Sequence, residues 1–215
     1  MSDTDSFIDE VTEEVRRDRL FGMMKRYGWI AVLAVLLLVG GTAYREFVRA
    51  SADAEAQSFG DAVLLALESD EASDRVSALT EITAPTPAAG AVLSMLIAAE
   101  EAEQDNGEAA AQLLSQTATN GELPEIYRQI ASFKALTHPE TPLSADERRV
   151  AFEAMAQPGA PLRLLAEEQL ALLDIETGDS DGAITRLNTV LRDAELTPGL
   201  RRRATQLIVA LGGDV

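Results

Sequence analysis

The stretch LALLDIETGDSDGAITRL, residues 170–187, decides how most of this chain folds. Ala171 and Ala183 are small enough to let two helices approach closely, and Gly178-Asp179 supplies a tight turn between them. Leu170 and Leu187 are the large apolar partners. A second copy lies 73 residues earlier, where Ile97-Ala98, Ala110 and Leu114 match Leu170-Ala171, Ala183 and Leu187. Asp105 falls where Gly178 would be. This spacing is about twice a 34-residue helix-turn-helix repeat.

Outward from these two copies, the chain reads as helices. Glu46 to Leu67 shows no proline and no glycine before Gly60, and Phe47, Phe59, Val63 and Leu67 give it apolar positions. Asp74 to Ile82 follows, ended by Pro85-Thr86-Pro87. Ala88 to Gln104 carries a broad apolar stripe, Glu108 to Ala118 a narrower one, and Asn120-Gly121 breaks the pattern. Pro124 suits the first turn of a helix containing Ile126, Tyr127, Ile130 and Phe133. Ser144-Ala145-Asp146-Glu147 is an N-cap with glutamate three residues on, the start of a helix closed by Pro158-Gly159. Ala160–Thr177, Asp181–Ala194 and Pro198–Leu211 complete the set. The middle pair, around Tyr127 to Ala156, fits the repeat poorly and contains the longer loop Pro139 to Pro142. Nothing alternates with a strand period for more than a few residues. The expected fold is all-α, a solenoid of antiparallel helix pairs.

Before this region runs a segment of another kind. From Tyr27 to Val48 the only charges are Arg45 and Glu46, and these 22 residues suffice to cross about 30 Å of hydrocarbon. Tyr27, Trp29 and Tyr44 stand where an aromatic belt is expected, and Lys25, Arg26 and Arg45 are placed to snorkel. A single transmembrane helix is the expectation. Its rival is a cleaved signal peptide, because Ala50-Ser51-Ala52 has the spacing of a cleavage site. Against cleavage stand the 26 residues ahead of the run and the charges Arg45, Glu46 and Arg49 before the site.

Arg16, Arg17, Arg19, Lys25 and Arg26 precede the helix, whereas Arg45 and Arg49 follow it before a gap to Arg75. Five against two places the N-terminus in the cytoplasm and the tail outside it, which in a bacterium is the periplasm. From Ala50 onward 28 acidic and 11 basic residues leave a net charge near -17, out of -18 for all 215 residues. Such a surface repels nucleic acid and anionic headgroups. The chain contains no cysteine, so it has no disulfide, thiolate nucleophile or Cys-based metal site. In the head, Phe7, Ile8, Val11 and Val15 form an apolar stripe, Ser6 and Asp9 are placed for a capping box, and Leu20, Phe21, Met23 and Met24 suit a bilayer surface. Either the head is a docking helix, or it is a frayed helix that supplies the positive flank.

The head carries a more specific signal. Residues 6–19, SFIDEVTEEVRRDR, followed by Lys25-Arg26-Tyr27-Gly28-Trp29, resemble the start of alphaproteobacterial proteins with a membrane-anchored tetratricopeptide-like domain, similar to the YfgM family of ancillary SecYEG translocon subunits. Ala171, Gly178, Ala183 and Leu187 resemble the small-and-large pattern of tetratricopeptide repeats, although Val190 replaces the usual alanine and Pro198 arrives late. The resemblance implies a single-pass inner-membrane protein whose periplasmic domain works near SecYEG, periplasmic chaperones or secreted clients. It offers no catalytic residue to carry over. With it, the chain divides into a cytoplasmic amphipathic head (1–26), a transmembrane helix (27–48), a membrane-proximal helical segment (49–84) and a tetratricopeptide-like helical repeat domain (85–215).

Candidates for chemistry are few. His138 is the only histidine and precedes Pro139 in a loop, a place where histidines are usually exposed. Asp179-Ser180-Asp181-Gly182 resembles part of a calcium loop, but the twelfth position is Val190, which cannot coordinate. The Glu100, Glu101, Glu103, Asp105 and Glu108 cluster spreads around a helix and reads as a solvated face. Gly40-Gly41 lacks the Gly-x-x-x-Gly spacing of helix contact. Arg201-Arg202-Arg203 span too wide an arc for all three to pack inward, so the cluster reads as a terminal polar cap or a partner-contact edge. No catalytic residue, cofactor or metal is expected. The sequence points to a non-catalytic anchored adaptor near the Sec translocon or, alternatively, to an assembly or quality-control subunit of a different cell-envelope complex.

Overall fold

A computed structural model describes the backbone of residues 3–214 and the side chains of residues 24–27, 29, 30 and 33–214. The described residues are all-helical, with no strand. In order they form α1 (Asp3–Ala66), α2 (Ala72–Thr80), α3 (Pro87–Glu103), α4 (Gly107–Thr119), α5 (Glu125–Thr137), α6 (Ala145–Met155), α7 (Arg163–Glu176), α8 (Ser180–Leu191) and α9 (Pro198–Ala210). The chain separates into two units, one ending at Gln57 and one beginning at Ser58.

The first unit is helical from Asp3 on, so Ser6 lies inside α1 and is not its N-cap. An N-cap needs non-helical dihedrals, which Ser6 does not have. The expected stripe of Phe7, Ile8, Val11 and Val15, and the membrane-surface residues Leu20, Phe21 and Met23, concern side chains outside the described residues. Along the apolar run, large side chains are exposed on every side of the helix, from Trp29 at 64% and Ile30 at 46% to Leu38 at 70%. Thr42 donates its hydroxyl to the carbonyls of Leu38 and Val39, at 3.0 and 2.9 Å, and so satisfies it within the helix. Among the described residues no helix is long and apolar enough to cross a membrane; the side chains of Gly28, Ala31 and Val32, which belong to the run, are outside them.

In the second unit the helix starts are written in local chemistry. Thr86 and Thr197 each accept a backbone N–H, from Ala89 and Leu200, and each is followed by proline at the first helical position. Ser144 and Glu147 form the expected capping box. Its hydrogen bonds from the Ser144 hydroxyl and backbone hold the Glu147 carboxyl below the usual carboxylate range. Most boundaries fall within two residues of the sequence reading, and two differ by three. α7 begins at Arg163 instead of Ala160, because Pro158-Gly159-Ala160-Pro161 makes a turn in which Gly159 has φ +84. α8 ends at Leu191 instead of Ala194, where Asp193 and Glu195 leave the helix to pair with Arg163 on α7.

Consecutive helices pack on one another, and α3 also touches α5, the nearest-neighbour pattern of a helical stack. Both copies of the hairpin form. Ala98, Ala110 and Leu114 share one buried cluster, and Ala171, Ala183 and Leu187 another. At the α7–α8 turn Gly178 takes φ +86 and the Asp179 N–H donates back to the Asp174 carbonyl at 2.8 Å. At the α3–α4 turn Asp105 takes φ 57 and the Asn106 N–H donates to the Glu101 carbonyl at 3.0 Å. Asp105 does the work of Gly178 because aspartate tolerates the left-handed region better than most residues. Between the hairpins, Leu136, Phe152, Ala166, Leu170 and Leu173 form a third cluster, with the Phe133 and Phe152 rings edge-on at 5.6 Å.

Ala183 is fully buried against Ala171 of α7 and Ala204 of α9, so a larger side chain there has no room. Ala183→Leu is expected to lower the unfolding free energy of the chain by about 1–3 kcal/mol. Urea unfolding followed by far-UV circular dichroism checks it.

Candidate functional site

α7 sits between α6, α8 and α9 and buries two carboxylates, Glu168 and Asp174, and arginines from the neighbouring helices reach both. Asp174 accepts from Arg149 of α6 at 2.6 Å and from Arg186 of α8 at 3.0 Å, and Arg186 continues to Glu167 at 2.8 Å. Burial opposes ionisation of Asp174, but the two guanidinium hydrogen bonds outweigh it and hold the carboxyl below its ordinary value. Six residues earlier, Glu168 is 5% exposed and takes a bidentate pair from Arg203 of α9, both bonds at 2.6 Å.

Above the Glu168–Arg203 pair lies a groove of about 630 Å³, walled by α5, α7 and α9. Phe133, Leu165, Leu172, Leu207 and Ala210 make its apolar surface, while Gln169 and Gln206 join the ion pair as its polar groups. Leu172 is 37% exposed, unusual for a leucine in the middle of a packed helix. The three walls are not consecutive in sequence. Each belongs to a different helix pair, so the groove exists only because the pairs stack in order.

The residues singled out in the sequence fall as follows. Arg201-Arg202-Arg203 divides, with Arg203 turned to Glu168 and Arg201 and Arg202 exposed. His138 is half-buried instead of exposed, because its loop folds over Gly107, which has no Cβ in the way. Its Nδ1 accepts the Glu140 N–H at 3.2 Å, while its buried Nε2 makes no hydrogen bond among the described residues. The glutamate cluster is not wholly a solvated face. Arg75 of α2 holds Glu100 at 2.6 Å and Glu103 at 2.7 Å, and Asn106 donates to Glu101. Asp179 caps α8 by accepting from Gly182, where any Cβ would meet the carboxylate. Among the described residues no group of three or more potential ligands could hold a metal ion.

The sequence reading did not reach Leu165, Leu172, Leu207 or the two buried carboxylates. One signal was available: Leu164 to Ala166 and Leu170 to Leu173 give α7 more apolar positions than a single stripe needs. A helix with that excess is covered on several sides or lines a cleft. No family model, curated protein or solved structure matches this chain.

Because the folded-state value of Asp174 is lowered, its stabilising contribution is fully present above about pH 4 and is lost as pH falls through the lowered value. An acid titration followed by circular dichroism should therefore show a steeper loss of stability below about pH 4 in the native chain than in Asp174→Asn. Equal slopes would contradict the buried pairing.

Proposed function

We propose that this chain is a non-catalytic adaptor, anchored in the bacterial inner membrane through Tyr27–Val48, with a tetratricopeptide-like helical domain in the periplasm that binds other proteins near the Sec translocon and its chaperones. The observation that carries the reading is the groove across α5, α7 and α9. It is lined mainly by apolar side chains, its charged groups are already paired, and its walls come from successive helix pairs. Those are properties of a surface that receives a polypeptide by shape and desolvation.

The anchor is supported by the exposure of Trp29, Leu36, Leu37 and Leu38 on different sides of α1. A helix that is apolar all round is stable inside a protein core or inside lipid, and the first unit consists of α1 alone. The internal hydrogen bonds of Thr42 suit lipid, where no water is present to accept them. The five cationic residues before the run, against two after it, favour a cytoplasmic N-terminus. The domain's repeated small residues, two hairpins 73 positions apart, support the tetratricopeptide-like reading.

Photocrosslinking in cells from a probe at Leu172, with a probe at Val150 on α6 as control, tests the proposal. Crosslinks from Leu172 to SecY or its neighbours, with protease reaching the tail in spheroplasts, are the expected result. Crosslinks to another envelope complex and none to SecY would replace the translocon assignment with an assembly or quality-control role.

A further inference from the structure

The 73-residue relation extends well beyond the two hairpins. α2 and α6 begin 73 positions apart, at Ala72 and Ala145; α3 and α7 end so, at Glu103 and Glu176; α5 and α9 agree at both ends. The buried positions follow, with Leu79 answering to Phe152, Ala131 to Ala204 and the half-buried Ile97 to Leu170. Even an ion pair repeats: Arg75 of α2 holds Glu103 of α3, and Arg148 of α6 holds Glu176 of α7, both at 2.7 Å. The second unit is therefore built on a 73-residue module of two helix pairs, used twice.

A module used twice also repeats the positions that line the groove. The positions of Leu165, Glu168, Leu172 and Arg203 are occupied in the earlier copy by Val92, Met95, Ala99 and Ile130. Val92, at the position of the half-buried Leu165, is 38% exposed, and Ala99, at the position of Leu172, is exposed as Leu172 is, whereas Met95 is buried and Ile130 half-buried against it. The ion pair of the later copy has thus become an apolar pair in the earlier one. Phe133 belongs to both, since it lines the later groove itself and stands in the earlier copy at the position of Gln206, which also lines that groove.

The flanks of this joined surface differ in charge. The Arg75–Glu103 and Arg148–Glu176 pairs, and the contact of Gly107 with Glu140, bring the ends of α3, α5 and α7 and the starts of α4 and α6 to one edge. Asp105, Glu108, Glu140 and Asp181 lie along that edge, and its arginines Arg75, Arg148 and Arg149 are already held by carboxylates. Arg192, Arg201 and Arg202 cluster at the opposite edge, around the end of α8 and the start of α9.

We infer that the α3–α5 and α5–α7–α9 surfaces are two adjoining subsites for one amphipathic helix, apolar on the face it lays against Val92, Phe133 and Leu172 and basic on the flank turned to the acidic edge. The inference rests on the adaptor reading above and names the class of partner. Neighbouring helices lie about 8–10 Å apart, so three steps from α3 to α9 cover roughly 24–30 Å, about the length of an 18-residue helix.

The test uses the full-length chain in zwitterionic nanodiscs and an 18-residue leucine–lysine peptide with a photoreactive leucine on its apolar face, its crosslinks mapped by mass spectrometry. Crosslinks on both α3 and α7 or α9 are expected, reduced about tenfold near each subsite by Val92→Asp or Leu172→Asp respectively. The matching leucine–glutamate peptide is expected to crosslink far less. Crosslinks confined to α7 and α9 would overturn the twin subsite and leave the groove standing. Equal crosslinking by the glutamate peptide would overturn the basic flank. Crosslinks found only outside both surfaces, or insensitive to either substitution, would sink the groove reading itself.

Discussion

Two carboxylates inside α7 cannot be left alone. An unpaired charge in a protein interior costs several kcal/mol, and removing one partner of a buried pair typically costs about 3–5 kcal/mol. Asp174 meets that constraint with arginines from α6 and α8, and Glu168 meets it with an arginine from α9. Four helices are thereby tied to one another, by a bidentate pair at Glu168 and by single hydrogen bonds from two arginines at Asp174. Apolar burial supplies most of the stabilisation but is indifferent to small sliding, whereas these pairs are not. The groove inherits its shape from these ties, because the Glu168–Arg203 pair forms part of its own floor.

Close helix approach is the second constraint, and it is the part of the fold most legible in the sequence. Ala98 with Ala110, and Ala171 with Ala183, announce tight hairpins because only small residues let backbones come together. The turns were legible for the same reason, since Gly178 and Asp105 are residue types that reach positive φ. The capping box at Ser144 and the threonine–proline helix starts were equally local. What could not be read was long-range. No spacing along the chain announces that Arg149 and Arg186 meet at Asp174, since the partners are 25 and 12 residues away on different helices. Nothing along the chain sets the exposed Leu172 apart from the buried Leu170 and Leu173 beside it, because its exposure depends on the helices around α7. His138 was misplaced because its burial comes from a glycine in another turn.

The two copies of the module also show how a repeated scaffold acquires a directional surface. Where the earlier copy keeps Met95 and Ile130, the later one has Glu168 and Arg203, so one end of the surface is apolar and the other holds a charge pair. At the C-terminal end, Gln206 stands at the position of Phe133 and the exposed Val209 at that of the buried Leu136.

Binding at the groove is the claim on which the functional account turns. The most direct measurement compares proteins that co-purify from membranes with chains carrying Leu172→Asp and Val150→Asp. Both substitutions add one acid to an exposed apolar position, but only the first lies in the groove. The account predicts that one defined partner is lost with Leu172→Asp and retained with Val150→Asp. Equal retention with both, in folded protein, would contradict it.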